Sequence, residues 1–314
     1  MSKLHQNEIS ISIETVRRLI DRQFPQYTDL TLAPMGSSGS SNFQYALGSE
    51  LLVRLPRLPG GGESIEKECR WTRELARHLP VAVPEIIGKG EPDSGYSELW
   101  SIVRWQNGTH PAVCFPDSPT IPEHYQLATE LAAVISAFRD IEPDADALSD
   151  QSLRQQYRGR SLAEHDGAFR HSLKACRSIA ALDLDLDAAL FLWERSLDLP
   201  DATTNHNQPQ YWFHGDIVAE NLLTENGRLC GLLDFGGLGI GDPTVDLHGA
   251  WELFDAPARD TFRQRLNVDD PTWLRGRAWA LAIALMTFPY YWLSMPGRIH
   301  DRLAMAQNVL ADPE

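Results

Sequence analysis

Cysteine is scarce in this sequence, and the few cysteines are far apart. The 314 residues include four, Cys69, Cys114, Cys176 and Cys230. No two of them have the spacing of metal ligands or of a redox pair. Reduced thiols, as in a cytosolic protein, are therefore the simplest interpretation.

Long apolar segments are also absent. The sequence has no run of 18 or more apolar residues, which a membrane-spanning helix needs. Its first residues, MSKLHQNEISIS, lack the apolar core of a signal peptide. We therefore expect a cytoplasmic protein that has no membrane partner.

Positive charge is in short supply as well. The chain has 28 Lys and Arg residues against 43 Asp and Glu residues, a formal charge of −15. This balance argues against nucleic acid as a partner and is compatible with a cationic substrate, although many acidic enzymes have none. With 43% hydrophobic and 23% charged residues, the composition is that of a globular protein, and the length allows two lobes.

The stretch Tyr211–Leu247, YWFHGDIVAENLLTENGRLCGLLDFGGLGIGDPTVDL, contains the strongest local signal. Asn226-Gly227 between apolar runs predicts a β-hairpin with a type I′ turn. A two-residue turn places Glu225 opposite Arg228, Thr224 opposite Leu229 and Asn221 opposite Leu232. Asp234 then lies about 7 Å beyond Leu232 along the strand.

The hairpin would bring Asp216, Asn221 and Asp234 to one end of a small ribbon. Carboxylate and amide oxygens are ligands that Mg²⁺ prefers, and Asp216 can accept a proton from a hydroxyl. The two carboxylates have no basic neighbour in the sequence, so a bound cation would offset their repulsion.

The order of these parts resembles that of kinases. HGDIVAEN is similar to the kinase catalytic loop, with Gly215 where protein kinases have Arg. LLDFGGLGIGDPTVDL resembles the metal-binding segment of the aminoglycoside phosphotransferase family, antibiotic kinases with a protein-kinase-like fold. The resemblance implies phosphoryl transfer from ATP or GTP to a hydroxyl of a small molecule, with Asp216 as the base and Asn221 and Asp234 as Mg²⁺ ligands.

The resemblance also implies an architecture and several structural residues. We expect an α+β, protein-kinase-like two-lobe fold, with a nucleotide-binding lobe of antiparallel sheet plus helix over residues 1–104. Residues 105–314 would form a mainly helical lobe that holds the catalytic loop, the metal site and the helical substrate-binding segment. His214 is expected to brace the loop, and Asp242 and Asp246 to form a structural network.

A loop of small residues, GSSGSSN, joins the first two predicted strands at Gly36–Asn42. Such a loop can lay its backbone over phosphates, although most Gly/Ser clusters are simple turns. With the kinase-like segment downstream, we predict that Ser38 and Gly39 contact the nucleotide.

A charged pair is predicted in the same lobe. Arg54 interrupts the apolar strand Leu51–Leu55, and Glu68 falls on the packed face of the helix Glu63–Leu79. Alone, Arg54 would fit an exposed edge strand and Glu68 the solvated edge of a helix. Together they match the Lys–Glu pair of kinases, with Arg in place of the usual Lys, so we predict that Arg54 holds phosphates and Glu68 positions it.

The predicted strand Trp100–Trp105 ends at Gln106-Asn107-Gly108. In the resembled family this segment is the hinge whose backbone binds adenine. By that match, the carbonyl group of Arg104 and the N–H group of Gln106 would contact the base.

Apolar periodicity predicts the remaining elements. Strands are expected at 30–35, 43–47, 51–55, 84–88 and 100–105, and helices at 13–24, 63–79, 127–138, 161–179, 184–197, from about Pro243, at 273–294 and at 299–311.

Other functions stay open. The acceptor could be an aminoglycoside-like or other antibiotic, or a metabolite alcohol of the choline or homoserine type. A metal-dependent hydrolase would use His214, Asp216, Asp234 and His248. An inactive nucleotide-binding protein is a third alternative, and the chain could be a monomer or a homodimer.

Overall fold

A computed structural model describes residues 4–36, 39–200 and 210–312. The chain forms two compact units. The first comprises Met1–Arg77, Ala82–Asn107 and Leu233–Gly236, and the second His78–Val81, Gly108–Leu232 and Gly237–Glu314. Within the described ranges, no helix combines the length and the apolar character needed to cross a membrane.

The first unit contains a five-stranded sheet and two helices. Its elements are α1 (Ile13–Gln23), β1 (Leu32–Pro34), β2 (Asn42–Leu47), β3 (Leu51–Pro56), α2 (Gly62–Leu75), β4 (Ile86–Gly90) and β5 (Trp100–Arg104). The strands are antiparallel in the order β1-β2-β3-β5-β4. β4 begins at Ile86, whereas the prediction began it at Pro84. Proline has no N–H group to donate to the hydrogen bonds of a sheet.

The core of this unit is built from alternate residues of its strands and from one apolar stripe of helix α1. Val53 and Leu55 on β3, and Ile102 on β5, are fully buried with the α1 stripe of Val16, Leu19 and Ile20. The side chain of Ser12 caps α1 by accepting the N–H of Thr15, and the helix ends before Pro25, which cannot continue it.

The second unit is mainly helical. Its helices are α3 (Pro122–Asp140), α4 (Ala145–Ser149), α5 (Gln151–Arg154), α6 (Leu162–Cys176), α7 (Leu186–Leu197), α8 (Ala250–Leu253), α9 (Ala256–Leu266), α10 (Asp270–Tyr291) and α11 (Pro296–Ala311). Most residues of α10 between Trp273 and Phe288 are buried, as expected for a central helix that is apolar on all sides. The α+β class predicted from the sequence is confirmed.

Two small ribbons lie within this unit. β6 (Tyr211–Phe213) pairs with β9 (Gly239–Gly241), and β7 (Leu222–Glu225) pairs with β8 (Arg228–Leu232). The segment from 214 to 221 connects the two ribbons, because it joins β6 to β7.

The predicted hairpin forms, but one of its pairings was wrong. Asn226 and Gly227 have φ values of 51° and 75°, as a type I′ turn requires. Glu225 pairs with Arg228 and Thr224 with Leu229, whereas Leu232 pairs with Leu222 and not with Asn221. An irregularity between Leu223 and Thr224 leaves one extra residue on β8, which shifts the register. Asn221 therefore precedes the strand.

The segment after β9 begins with a 3₁₀ turn, Pro243–Leu247, where an α-helix was predicted. The Asp242 carboxylate caps this turn by accepting the N–H of Thr244 at 3.0 Å. The α-helical geometry starts only at Ala250, in the short helix α8.

Candidate active site

The loop from His214 to Asn221 is held by a buried aspartate. The N–H groups of His214 and Gly215 donate to Asp246 Oδ2 and Oδ1 at 2.8 and 2.6 Å. Asp246 is fully buried, and burial raises its pKa to about 6. The structure thus gives Asp246 a bracing contact with the loop, in line with its predicted structural role.

Gly215 occupies the place where protein kinases have arginine, and its backbone requires glycine here. Its φ is +86°, and a Cβ atom would lie 2.5 Å from the carbonyl oxygen of Gly237. A side chain at this position would therefore meet both backbone strain and a steric clash.

Asp216 is the predicted catalytic carboxylate, and both of its oxygens are engaged. Oδ2 accepts from Asn221 Nδ2 at 3.0 Å, and Oδ1 accepts from Arg158 Nη1 at 2.6 Å. Its backbone N–H donates to His214 Nδ1 at 3.2 Å. His214 is fully buried and braces the loop through this bond.

Arg158 is the residue that sequence reasoning missed. It lies in a 3₁₀ turn, Tyr157–Gly159, 58 positions before Asp216 in the chain. Its Nη1 also donates to the carbonyl oxygen of Gly215. Burial alone would raise the pKa of Asp216, but the attraction of Arg158 holds this pKa well below its usual range. Asp216 has no basic neighbour in the sequence, but in the fold an arginine from a distant segment lies beside it.

In the first unit, Arg54 and Glu68 form the predicted pair. Arg54 Nη2 donates to Glu68 Oε1 at 3.2 Å, Nη1 donates to Oε2, and both side chains are buried. The periodicity of α2 and the single charge in β3 were sufficient signals for this contact. A bidentate buried pair fixes the guanidinium in one orientation.

Asp234 belongs to the same unit and has an unusual backbone conformation. Its φ is +58°, its Oδ1 accepts the N–H of Gly236 at 3.2 Å, and Arg54 Nη2 lies 3.8 Å from Oδ1. Lys67 on α2 donates to the carbonyl oxygen of Gly236 at 2.8 Å. Helix α2 therefore holds the segment after β8 through Lys67, a contact that no sequence motif indicated.

The other predicted nucleotide-binding residues are placed as follows. Ser38 lies outside the described residues. The carbonyl oxygen of Gly39 accepts from Arg57 Nε at 3.4 Å. The backbone N–H of Arg104 donates to Glu85 O at 2.9 Å. Gln106 Oε1 is buried and has no hydrogen-bond partner within the described ranges.

The predicted metal ligands belong to different units, Asn221 to the second and Asp234 to the first. Across the described part of the chain, no group of three or more His, Cys, Asp or Glu side chains could hold a metal ion. Asn221 offers an amide oxygen in the second unit, and Asp234 offers a carboxylate in the first. Both are ligand types that Mg²⁺ accepts.

Comparison with protein families gives one match. The sequence model of the phosphotransferase enzyme family matches residues 36–279. This range includes every residue singled out above as a catalytic, metal or nucleotide candidate. Among curated proteins, none matches the chain significantly.

Solved structures share the fold over most of this chain. Aminoglycoside 2'-phosphotransferase-IIIa in complex with GDP has a TM-score of 0.68 at 18% identity, covering 96% of this chain and 97% of its own. The apoenzyme of macrolide 2'-phosphotransferase MphH from Brachybacterium faecium has a TM-score of 0.59 at 22% identity, covering 96% and 98%. A ternary complex of APH(2'')-IIa with streptomycin and ATP has a TM-score of 0.59 at 17% identity, covering 88% and 91%.

Proposed function

Because the chain belongs to the phosphotransferase enzyme family, we propose that it transfers the γ-phosphoryl group of ATP or GTP to a hydroxyl group of a small molecule. The observation that carries this proposal is the position of Asp216. Its carboxylate accepts hydrogen bonds from Asn221 and Arg158. The loop that carries Asp216 is fixed by backbone hydrogen bonds to the buried Asp246. A fixed, ionised carboxylate can orient the hydroxyl group of an alcohol for attack on the γ-phosphorus atom.

In the proposed reaction the oxygen of the acceptor hydroxyl forms a bond to the γ-phosphorus atom. The bond between this phosphorus and the β–γ bridging oxygen breaks, and ADP or GDP leaves. The proton of the hydroxyl passes to Asp216. Because the pKa of Asp216 is low, the carboxylate mainly orients the hydroxyl and takes the proton late, which suits a loose transition state.

We further propose that Asn221 and Asp234 bind Mg²⁺. Asn221 uses its Nδ2 group on Asp216, which leaves the amide oxygen for a cation. The Asp234 side chain is 37% exposed, and only its Oδ1 accepts the Gly236 N–H. When bound, the ion would neutralise charge on the phosphoryl oxygens.

On the nucleotide side, Arg54 would hold phosphates in the orientation that Glu68 imposes. We propose backbone contacts from Ser38 and Gly39 to the phosphates, and from Arg104 and Gln106 to the base. Gln106 Oε1 is buried and has no partner among the described residues, which supports a polar ligand near this segment.

The acceptor is proposed by analogy with the structural neighbours, which are named for aminoglycosides and macrolides. An antibiotic of this kind is the first candidate. A metabolite alcohol of the choline or homoserine type is the second, because one fold serves many acceptors.

The test is a coupled ADP-release screen against aminoglycosides, macrolides, other antibiotics and amino alcohols, with Asp216→Asn as the blank. We expect at least one acceptor to stimulate ADP release by the wild type and not by the variant. Conversion of an acceptor without nucleotide consumption would instead support hydrolysis. Nucleotide binding with no transfer to any acceptor would support an inactive protein.

A further inference from the structure

Carboxylates around Asp216 are neutralised by arginines from distant parts of the chain. The sequence from Asp216 to Asp260 holds nine acidic residues and two arginines. In the fold, however, Glu220 pairs with Arg298 at 2.8 Å and with Arg302 at 3.1 Å. Arg302 also pairs with the buried Glu252, and Arg275 pairs with Asp242 at 3.3 Å. Arginines from distant parts of the chain therefore offset part of the negative charge that the sequence shows in this stretch.

Arg158 brings a positive charge directly to the catalytic carboxylate. Its Nε donates to the Tyr157 hydroxyl at 2.8 Å, and Nη1 donates to Asp216 Oδ1 and to the Gly215 carbonyl oxygen. Nη2 makes no hydrogen bond with any residue that the structure describes. The side chain is 18% exposed, so part of the guanidinium reaches the surface beside Asp216.

Tyr157 lies next to this exposed guanidinium. The Arg158 guanidinium carbon is 5.5 Å from the centre of the Tyr157 ring, and Tyr157 is itself 43% exposed. The unpaired edge of a guanidinium group donates hydrogen bonds to neutral or anionic oxygen atoms. An ammonium group at the same place would meet the like charge of Arg158, and both oxygens of Asp216 already accept hydrogen bonds.

We propose that Arg158 determines acceptor specificity, by holding Asp216 and directing Nη2 toward the substituent next to the reacting hydroxyl. The favoured acceptor is an alcohol with an oxygen hydrogen-bond acceptor, a hydroxyl or a carboxylate, on the neighbouring atom. An acceptor with an ammonium group there is disfavoured. This inference rests on the proposed function, because a hydroxyl that reaches Asp216 also comes close to Arg158.

The experiment measures kcat and KM for acceptors that share a carbon skeleton and differ in one substituent beside the hydroxyl. Vicinal diols and 2-hydroxy acids form two arms, and the matching amino alcohols form the third. ADP release is followed with Mg²⁺ and ATP. We expect the wild type to favour an oxygen-substituted arm by at least about tenfold in kcat/KM. Comparing kcat/KM for the diols with kcat/KM for the 2-hydroxy acids shows whether a neutral or an anionic substituent is preferred.

Three variants locate the preference in Arg158. Arg158→Met should bring the ratio between the arms to within about threefold and lower kcat for the favoured acceptor. Arg158→Lys should keep part of the ratio, because it keeps the charge without the planar fork. Arg160→Met is the matched control: Arg160 is 45% exposed and pairs with Glu164 at 3.5 Å, so its loss should change neither quantity.

The proposal is overturned if the wild type uses amino alcohols as well as the oxygen-substituted acceptors, if none of the latter stimulates ADP release, or if Arg158→Met keeps the ratio. Should Arg158→Met fail to fold, Arg158→Gln replaces it, and nucleotide affinity verifies that a variant is intact. Turnover only of acceptors with an ammonium group beside the hydroxyl leaves the proposed function standing and refutes this inference. Absence of turnover with every acceptor refutes the proposed function as well.

Discussion

At the level of single residues, two side chains near the catalytic loop differ in charge. The carboxylate of Asp216 is ionised and paired, whereas the imidazole of His248 is uncharged. Asp216 stays ionised because Arg158 lies beside it, although burial acts against the charge. His248 is fully buried, and its Nε2 has no partner in the described part of the chain. These groups make stability depend on pH in ways that can be separated by substitution.

His248 should make the protein less stable in acid. Burial lowers its pKa to about 3, whereas the unfolded chain binds this proton near pH 6.5. The contribution of neutral His248 to the free energy of unfolding is therefore fully present above pH 6.5 and is lost as the pH falls toward 3. We expect about 2 kcal/mol of the unfolding free energy to be lost between pH 6.5 and 5, and His248→Asn to remove this part of the slope.

Denaturant unfolding at several pH values measures this slope. Asp246, whose pKa burial raises to about 6, acts in the opposite direction, but its contribution is common to both proteins and cancels in the difference. His171→Asn, on the exposed face of α6, is the control. Equal slopes for the wild type and His248→Asn would show that His248 is protonated in the folded protein.

At the scale of elements, the sequence allowed accurate prediction where a local rule applies. Asn226-Gly227 predicted the hairpin. The single charge in β3 and the position of Glu68 on the packed face of α2 predicted the Arg54–Glu68 pair. The bulge on β8 was not predictable, because no residue type demands an extra residue there. Arg158 was missed for a different reason: its contact with Asp216 depends on the tertiary path of the chain, which periodicity does not encode.

The loop conformation at Gly215 can be tested by adding one methyl group. Gly215→Ala places a Cβ atom 2.5 Å from the Gly237 carbonyl oxygen at a φ of +86°. We expect a loss of about 1–3 kcal/mol in unfolding free energy, with reduced activity. Gly167→Ala is the control, because a Cβ atom on this α6 glycine meets nothing within 4 Å, and it should be neutral or stabilising. Equal stabilities for both variants would contradict the assigned loop geometry.

The buried pair between α2 and β3 should be worth much more than an exposed pair on the same helix. Glu68→Gln leaves the Arg54 guanidinium without its counter-charge, and we expect a loss of about 3–5 kcal/mol and weaker nucleotide binding. Glu66→Gln breaks the surface pair with Lys89, formed at 2.6 Å, and should cost about 0–1 kcal/mol. Chemical denaturation and nucleotide titration measure both effects. Comparable losses in the two variants would argue against a buried, ionised pair.

At the scale of the whole molecule, the resemblance seen in two motifs extends over most of the chain. The family match covers residues 36–279, and the structural neighbours cover nearly the full length. The net charge of −15 is compatible with a cationic substrate, but arginines that are distant in the sequence pair with Asp216 and Glu220 in the fold. A charge count along the sequence therefore says little about the charge that a substrate meets.

The proposed reaction requires a divalent cation, and its removal should stop transfer. With excess EDTA we expect ADP release to fall to background, and added Mg²⁺ to restore it, because the phosphoryl charge is otherwise not neutralised. Asp234→Asn should require a higher Mg²⁺ concentration for half-maximal activity. Full activity in EDTA would exclude the roles proposed for Asn221 and Asp234.

The most direct measurement of the central claim is the stoichiometry of transfer by the wild type and by Asp216→Asn, with one acceptor identified in the screen. We predict one ADP for each phosphorylated acceptor. We also predict a kcat about 10²–10⁴-fold lower in the variant, with nucleotide affinity unchanged. Undiminished transfer by Asp216→Asn, or acceptor conversion without ADP formation, would contradict the proposed reaction.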